Sequence, residues 1–365
     1  MRYKVRYLTF SLLFLAIFML IIPLASAKPR GSYFVDFIYS EQVGDEGFGD
    51  SYQETAQALE ILYELNAFTV EGLFGIENKV DVPTLRDFLE AKLAGMFDDE
   101  TMNLYDIYGI LESFTYLNYA IDSSLSLNIY NYINTSSLVS GGFAPSNTSK
   151  AVNVVSTFYA FEIYGLLGVE MPNKTIHADW LLSCNNNDGG YGSNSTLSST
   201  LLSTYQVVML INGLTGSVDN LDNKTATLEY LTSFYISDTA DITNYGGYLP
   251  DITASNVLLS SSFTCLDSIE LIDSTELHQD PTLKLVLSRQ NFRDGGFSDK
   301  TTGTYFSSLT TSFYAFKILQ SFISINLLDE EIFMVEFNFI MLIVALSVMV
   351  VLIFGAYWFW RRRRI

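Results

Sequence analysis

Residues 180–192 read WLLSCNNNDGGYG, and residues 289–297 read RQNFRDGGF. In both stretches the end of an amphipathic segment runs into a polar turn, and the turn ends in two glycines and an aromatic residue. Paired glycines stop a helix and permit the positive φ angles that tight turns need. Each stretch therefore predicts the end of one helix, a glycine turn and the approach to a second helix.

Glycine followed by a large apolar residue recurs along the chain with a period near 48 residues. The glycines stand at positions 47, 95, 142, 190, 247 and 296, in steps of 48, 47, 48, 57 and 49. Residues 156–161 (STFYAF) also match residues 311–316 (TSFYAF). A helix pair of this length cannot bury its apolar face alone, so the pairs must stack, either in an open superhelix or in a closed ring. The second helix of each pair is more apolar, which favours a ring with an inner and an outer layer.

These stretches resemble the prenyltransferase/squalene-oxidase repeat over about residues 33–325. The resemblance implies an all-α fold, an α6/α6 toroid of six helix-pair repeats. Families built on this repeat include protein prenyltransferase β subunits, squalene and other terpenoid cyclases, and binding relatives such as cobalamin carriers and thioester domains. Because some of these families catalyse and others bind, the repeat specifies the scaffold and leaves the chemistry open.

The catalytic motifs of those families have no counterparts in this sequence. Protein prenyltransferases hold zinc through an Asp, a Cys two residues later and a distant His, whereas Phe263 stands two residues before Cys265 and residues 307–319 contain no His. The nearest likeness to the acidic D-x-D-D element of squalene cyclases is Asp98-Asp99-Glu100, at a different spacing. The Gly-Cys-Gly-Glu-Gln element of thioester domains is missing. We therefore predict no metal and no cofactor, and catalytic residues stay unassigned.

The cysteines and one histidine can be placed by aligning the repeats. Cys265 aligns with the small residues Ala160 and Ala315, which predicts a buried structural thiol. Whether it pairs with Cys184 depends on the Cα separation and stays open. His177 falls on the first helix of its pair, so we expect it at the surface and outside any ligand set.

Charge and composition exclude several classes of protein. The chain has 365 residues, with 20 Lys+Arg against 40 Asp+Glu, and 49% of its residues are hydrophobic. The apolar content excludes general disorder, and the net charge of −20 excludes binding to the nucleic-acid backbone. Residues 28–332 hold 13 basic and 39 acidic residues, about −26, which favours cations or basic partners and also keeps a protein soluble.

Both ends carry membrane signals. Three basic residues precede an apolar run that ends in Ala25-Ser26-Ala27, the pattern of a signal peptide, although an uncleaved anchor stays open. Residues 339–360 contain no charge and are followed by four arginines, which stay on the cytoplasmic side. We predict a single-pass type I protein of the cell membrane. Its parts are a signal peptide (1–27), an extracytoplasmic toroid (28–332), a transmembrane helix (337–360) and a cytoplasmic basic tail (361–365).

Five sequons lie in the predicted extracytoplasmic domain. Their acceptors are Asn134, Asn147, Asn173, Asn194 and Asn223. The pattern is short and common by chance in a chain rich in Ser, Thr and Asn, so it is compatible with a glycoprotein without establishing one.

The starts of the second helices supply candidate residues for a central cavity. These candidates are Thr55, Gln57, Tyr105, Asp106, Thr157, Tyr159, Thr204, Gln206, Ser262, Thr264, Thr311 and Tyr314. Hydroxyls, amides and aromatic rings suit a neutral or amphipathic ligand such as a glycan, lipid or peptide. Alternatively, the same residues cap their own helices and pack the ring. Asp106, Glu112 and Glu162 are the first acids to consider as a catalytic pair.

The sequence thus predicts a binding or surface-interaction module whose partners are the membrane, through its single span, and an unidentified ligand or surface protein, with no nucleic acid. The alternative is an enzyme on the same scaffold, either prenyltransferase-like or terpenoid-cyclase-like or active on glycans. Two carboxylates or a metal triad converging in the cavity would favour the enzyme.

Overall fold

The computed structural model describes residues 28–68, 74, 76–98, 101–300 and 306–332, together with residues 347, 350, 354, 358 and 362. The chain divides into two units, Arg30–Asp329 and the flanking segments Met1–Pro29 with Glu330–Ile365. In the flanking unit, strand β1 (Lys28–Pro29) pairs antiparallel with strand β2 (Glu331–Ile332).

The predicted membrane segments lie almost wholly beyond the part of the chain that the structure describes. Residues 1–27 fall outside it, and only residues 347, 350, 354 and 358 of the predicted span 337–360 fall within it. Among the residues described, no helix has the length and hydropathy that a membrane crossing requires.

Within the described part of residues 30–329, twelve α-helices form two concentric layers. The outer layer consists of α1 (Arg30–Ser40), α3 (Val82–Asp98), α5 (Ser123–Ser136), α7 (Lys174–Leu182), α9 (Lys224–Thr232) and α11 (Gln279–Ser288). The inner layer consists of α2 (Tyr52–Glu64), α4 (Leu104–Tyr116), α6 (Val154–Leu166), α8 (Leu201–Thr215), α10 (Leu259–Asp273) and α12 (Leu309–Ser321). Short 3₁₀ helices span Val218–Asn220, Ser274–Glu276 and Ile325–Asp329.

The inner layer is a closed ring. Each inner helix contacts the next one along the chain, and α12 returns to contact α2. The core lies between the layers, where Phe34 of α1, Leu59 of α2 and Phe316 of α12 are fully buried. The all-α toroid expected from the sequence is therefore confirmed, and the open superhelix is excluded.

The glycine turns pack against the next outer helix around the ring. Gly189 has a φ of +84°, and a Cβ at this position would collide with the carbonyl oxygen of Ala226 in α9. Gly295 has a φ of +89°, and a Cβ there would collide with the carbonyl oxygen of Tyr33 in α1. Both positions therefore need glycine for its backbone angle and for its lack of a side chain. The second contact also closes the outer layer, because it joins the last turn to the first helix.

One of the six expected glycine turns is absent. Gly95 lies inside α3, which continues to Asp98, and a Cβ on it would meet no atom within 4 Å. The prediction of a turn at Gly95 is wrong, because nothing packs closely enough there to require glycine. Pro83 does lie in the first turn of α3, where its missing N–H has no cost. Since the glycine period skips this pair, the count of six sequence repeats stays a prediction.

His177 is buried, so the expectation of a surface position is wrong. Its side chain is 2% exposed, its Nδ1 accepts the backbone N–H of Gly142 at 3.0 Å, and its ring stacks on Phe143 with centroids 4.7 Å apart. The aligned Thr227 donates to the carbonyl oxygen of Gly189 at 2.9 Å. Both residues thus fasten an outer helix to the preceding glycine turn, which is the physical reason for their burial.

Candidate functional site

A cavity of about 750 Å³ lies at the centre of the inner ring. Its lining residues come from all six inner helices and include aromatic, amide and carboxylate side chains. Cavities of several hundred Å³ can enclose most of a drug-sized molecule. The cavity is therefore the candidate binding site.

One layer of the cavity wall is charged. It consists of the residue eight positions after the first residue of each inner helix, namely Glu60, Glu112, Glu162, Met209, Asp267 and Lys317. We call this layer the charged ring. Equal register on adjacent inner helices places these side chains at one level, so the ring presents four carboxylates and one ammonium group to the cavity.

An aromatic layer lies one helical turn before the charged ring. It consists of Tyr108, Phe158, Tyr205, Phe263 and Phe313, with the adjoining Tyr159 and Tyr314. We call this layer the aromatic collar. Its rings touch from helix to helix: Tyr108 and Tyr159 have centroids 5.1 Å apart, Phe158 and Tyr205 6.1 Å, Tyr205 and Phe263 6.0 Å, and Phe263 and Tyr314 5.7 Å. The collar therefore covers the wall from α4 to α12.

The charged ring contains one ion pair and three carboxyl groups with raised pKa values. Lys317 Nζ donates to Glu60 Oε1 at 2.8 Å. Burial raises the pKa of Glu112 to about 7, with a further rise from Glu60 and Glu162, against the lowering effects of the Tyr108 hydrogen bond and of Lys317. Burial also raises the pKa of Glu162 and of Asp267.

The sequence profile of the family described as "Prenyltransferase alpha-alpha toroid domain" matches residues 150–304. The resemblance to the prenyltransferase-like toroids is confirmed. Protein geranylgeranyltransferase-I of Candida albicans, solved in complex with GGPP, is a similar structure with a TM-score of 0.62 and 15% sequence identity. The match covers 82% of this chain and 93% of that chain, and at this identity it shows the fold alone. A comparison with curated protein sequences finds no match.

Five of the twelve predicted cavity residues line the toroid's cavity. They are Gln57, Tyr105, Tyr159, Thr264 and Tyr314. Of the three acids singled out from the sequence, Glu112 and Glu162 line the cavity, whereas Asp106 lies in the first turn of α4, where it accepts a hydrogen bond from Asn103 Nδ2 at 2.7 Å.

Four of the other predicted residues hold the glycine turns of the toroid in place. Thr204 accepts the backbone N–H of Tyr191 at 2.9 Å and donates to the carbonyl oxygen of Thr200 at 2.8 Å. Thr55, Thr157 and Ser262 accept the N–H of Phe48, Phe143 and Tyr248 at 3.0, 3.0 and 3.1 Å. These hydroxyls lie three positions into their helices and are occupied by backbone partners. They therefore pack the ring, as the alternative interpretation expected, although the N-caps of α2, α6 and α8 are Ser51, Asn153 and Thr200.

The remaining two predicted residues also lie outside the cavity wall. Thr311 donates its backbone N–H to Ser308 Oγ at 3.1 Å, the N-cap bond of α12. Gln206 is 3% exposed, and its Oε1 is buried without a hydrogen-bond partner.

Sequence reasoning missed four members of the charged ring, Glu60, Met209, Asp267 and Lys317. The signal for them was available in the repeat alignment. Glu162 follows the STFYAF segment and Lys317 follows the TSFYAF segment, so both stand at the same place in their repeats. When charged residues stand at the same position of several aligned inner helices, their side chains are expected to lie at the same level of the cavity.

The described residues do not fit a zinc site. None of them form a group of three or more His, Cys, Asp or Glu side chains that could hold a metal ion. Cys265 is fully buried outside the cavity lining, and burial raises the pKa of its thiol, which disfavours the thiolate that zinc needs.

The five predicted glycosylation acceptors differ in exposure. Asn147, Asn173 and Asn223 are exposed, and Asn194 is half-buried. Asn134 is half-buried and its Oδ1 accepts a hydrogen bond from the hydroxyl of Tyr164 at 2.8 Å. This bond joins α5 to α6 through Oδ1, whereas a glycan would attach to Nδ2.

Proposed function

We propose that this chain is a membrane-anchored extracytoplasmic binding module, with six helix-pair repeats, that takes an amphipathic ligand into its central cavity. The observation that carries the proposal is the cavity of about 750 Å³, with the aromatic collar next to the charged ring. Aromatic side chains cover the apolar body of a ligand, and the polar layer fixes its head. The signal-like residues 1–27, the apolar segment 337–360 and the terminal arginines support the membrane placement.

The charge of the cavity wall argues against an anionic ligand. The similar protein geranylgeranyltransferase-I was solved in complex with GGPP. In this chain the charged ring holds four carboxylates, and its one lysine is already paired with Glu60. A diphosphate headgroup would meet like charges in a region of low dielectric, which is strongly unfavourable.

Photoaffinity labelling tests the binding function. The full chain in phosphatidylcholine nanodiscs is irradiated with a neutral eight-carbon alcohol that carries a diazirine, and the labelled peptides are mapped by mass spectrometry. We expect saturable labelling of α6, α8 and α10, whose side chains line the cavity. Non-saturable labelling spread over the outer helices would overturn the proposal.

A matched pair of variants controls for unspecific labelling. Met209→Trp adds bulk inside the cavity, and Leu197→Trp adds the same bulk at a half-exposed loop position. We expect the first change to lower labelling about tenfold, equivalent to about 1.4 kcal/mol of lost affinity, and the second to leave it unchanged.

An enzyme is the second candidate, and Glu112 is the observation that favours it. A carboxylic acid with a pKa of about 7 can donate or accept a proton near neutral pH. Glu162 lies at the same level on the next helix, so two carboxyl groups face one cavity. Such a pair fits a glycan-active enzyme, in which Glu112 would protonate the leaving glycosidic oxygen while Glu162 would accept a proton from the attacking water.

Hydrolysis of disaccharides tests the enzyme directly. The full chain is incubated with unmodified disaccharides, and released monosaccharides are sought by mass spectrometry. Their release by the wild type, together with its loss in Glu112→Gln, would establish acid–base hydrolysis. Saturable labelling without such a product would favour the binding module.

A further inference from the structure

We propose that the central cavity selects amphipathic ligands whose headgroup is a protonated alkylamine. The inference rests on the proposed function and deepens it by naming the headgroup. Three independent features of the cavity wall support it: the excess of carboxylates, buried acceptors that lack donors, and the aromatic collar.

The first feature is an uncompensated negative charge. Glu54, Glu60, Glu112, Glu162 and Asp267 line the cavity. Lys317 is the one lysine or arginine among the described lining residues, and Glu60 occupies it at 2.8 Å. Among the residues that the structure describes, no cation lies within ion-pair distance of Glu112, Glu162 or Asp267. A carboxylate in such a place is costly without a cation, so these groups hold a proton more readily than usual, and a ligand cation would pair with their ionised forms.

The second feature is a pair of amide oxygens without donors. Gln53 lines the cavity and is only 7% exposed, and its Oε1 has no hydrogen-bond partner. Its amide nitrogen donates to the carbonyl oxygen of Tyr105, which fixes the orientation of the amide. Gln57, one helical turn further on, lines the same wall and also has a buried Oε1 without a partner. Buried acceptors without donors are rare, and since these oxygens have almost no accessible surface, a ligand N–H group would satisfy them after a small movement of the side chains.

The third feature is the aromatic collar, which lies between the level of Gln53 and the charged ring and shares the level of Gln57. Gln53 lies one position after the first residue of α2, and Glu60 lies eight positions after it. The collar covers the level between them, and at 1.5 Å per residue the two layers are about 10 Å apart. Aromatic faces attract ammonium groups and also accept alkyl chains. The collar therefore gives the alkyl chain an apolar path, and the charged ring beside it accepts the ammonium group.

Competition against the diazirine alcohol tests the headgroup. The competitors are octylamine, octanol and octyl phosphate, added to the full chain in phosphatidylcholine nanodiscs at pH 8. Because the three share one chain length, differences among them report the headgroup. We expect octylamine to displace the probe at a concentration about tenfold lower than octanol, and octyl phosphate to be the weakest of the three.

Matched variants separate the cavity charge from the charge of the whole protein. Glu112→Gln with Glu162→Gln removes two carboxylates from the cavity, whereas Glu229→Gln with Glu276→Gln removes two exposed ones. We expect the cavity variant to lose most of the preference for octylamine and to keep its affinity for octanol. The surface variant should behave like the wild type.

Each outcome bears on a different proposal. Equal displacement by octylamine and octanol in the wild type would overturn the headgroup inference and leave the binding function standing. An amine preference that survives in the cavity variant would overturn it as well. Failure of the probe to label the cavity at all would count against the proposed function itself.

Discussion

Lys317 Nζ and Glu60 Oε1 lie 2.8 Å apart across the seam of the toroid, between residues 257 positions apart in the sequence. Lys317 belongs to the last inner helix and Glu60 to the first, so this ion pair lies where the ring closes. The Glu60 side chain is 8% exposed and the Lys317 side chain 26%. Both belong to the charged ring, so the same ion pair joins the last inner helix to the first and neutralises part of the charge of the cavity wall.

Removing the lysine from this pair should destabilise the toroid. Lys317→Met leaves the carboxylate of Glu60 buried without a cation, so we expect a loss of about 3 kcal/mol in the free energy of unfolding. Urea unfolding of the full chain in detergent, followed by circular dichroism, measures it. Lys317→Met with Glu60→Gln should recover most of the loss.

Lys174→Met, which breaks an exposed pair with Glu170, should cost less than about 1 kcal/mol. Equal effects of Lys317→Met and Lys174→Met would contradict the buried pair.

The raised pKa of Glu112 predicts a stability that depends on pH. The groups that face Glu112 are Tyr108 on its own helix, Glu60 on α2, Glu162 on α6 and Lys317 on α12. With a pKa of about 7 in the fold against 4.5 as the reference, Glu112 binds a proton more tightly when folded. Stability should therefore fall as the pH rises from about 4.5 to 7.

The substitution Glu112→Gln isolates this contribution. Above pH 7 the variant should be more stable than the wild type by roughly 1 to 2 kcal/mol, because the wild type must hold a buried charge that the amide lacks. At pH 4.5 the two proteins should be nearly equal in stability. Unfolding curves at both pH values, with the exposed Glu229→Gln as control, measure the difference. A gap between the variant and the wild type that is the same at both values would contradict the raised pKa.

The fold could be predicted because its most demanding contacts recur in the sequence. Gly189 and Gly295 need glycine for close packing, and each is followed by a second glycine and an aromatic residue. The turn at Gly95 was predicted wrongly, since a glycine there only resembles the pattern and packs against nothing. A single dipeptide does not reveal whether another helix approaches it.

The site was harder to predict because inner helices are apolar on most of their circumference. Hydrophobic periodicity then gives little indication of which face points inward. Thr204, at the third position after the helix start, turns to the glycine loop, and Tyr205, at the fourth, turns to the cavity. The polar side chain of Thr204 suggested a position in the cavity wall, but Tyr205 is the residue that lines it. The repeat register that aligns Glu162 with Lys317 would have identified the charged ring.

The bond between Thr204 and the glycine turn predicts a structural role for this hydroxyl. Thr204→Val keeps the shape and leaves the N–H of Tyr191 buried without an acceptor, which should cost about 1 to 3 kcal/mol of stability. Thr204→Ser keeps the acceptor and should cost less. In folded protein, photoaffinity labelling of the cavity should be unchanged in both variants. A labelling defect in fully folded Thr204→Val would instead indicate a direct role in ligand binding.

The two cysteines should stay reduced and unreactive in the folded chain. Both are buried and free, and burial raises the pKa of the Cys184 thiol to about 11 and raises that of Cys265 as well. With a pKa of about 11, only about one thousandth of the Cys184 thiol is ionised at pH 8, whereas about a quarter of an exposed thiol is. The thiolate is the species that reacts. Iodoacetamide should therefore modify native protein at least 100-fold more slowly than urea-unfolded protein.

The variant Ser183→Cys provides a control. It places an exposed thiol beside Cys184, which should react quickly and so shows that the reagent is active. If unfolded, unreduced protein offers no free thiol until a reductant is added, Cys184 and Cys265 are paired, and the arrangement of α7 and α10 described above is wrong.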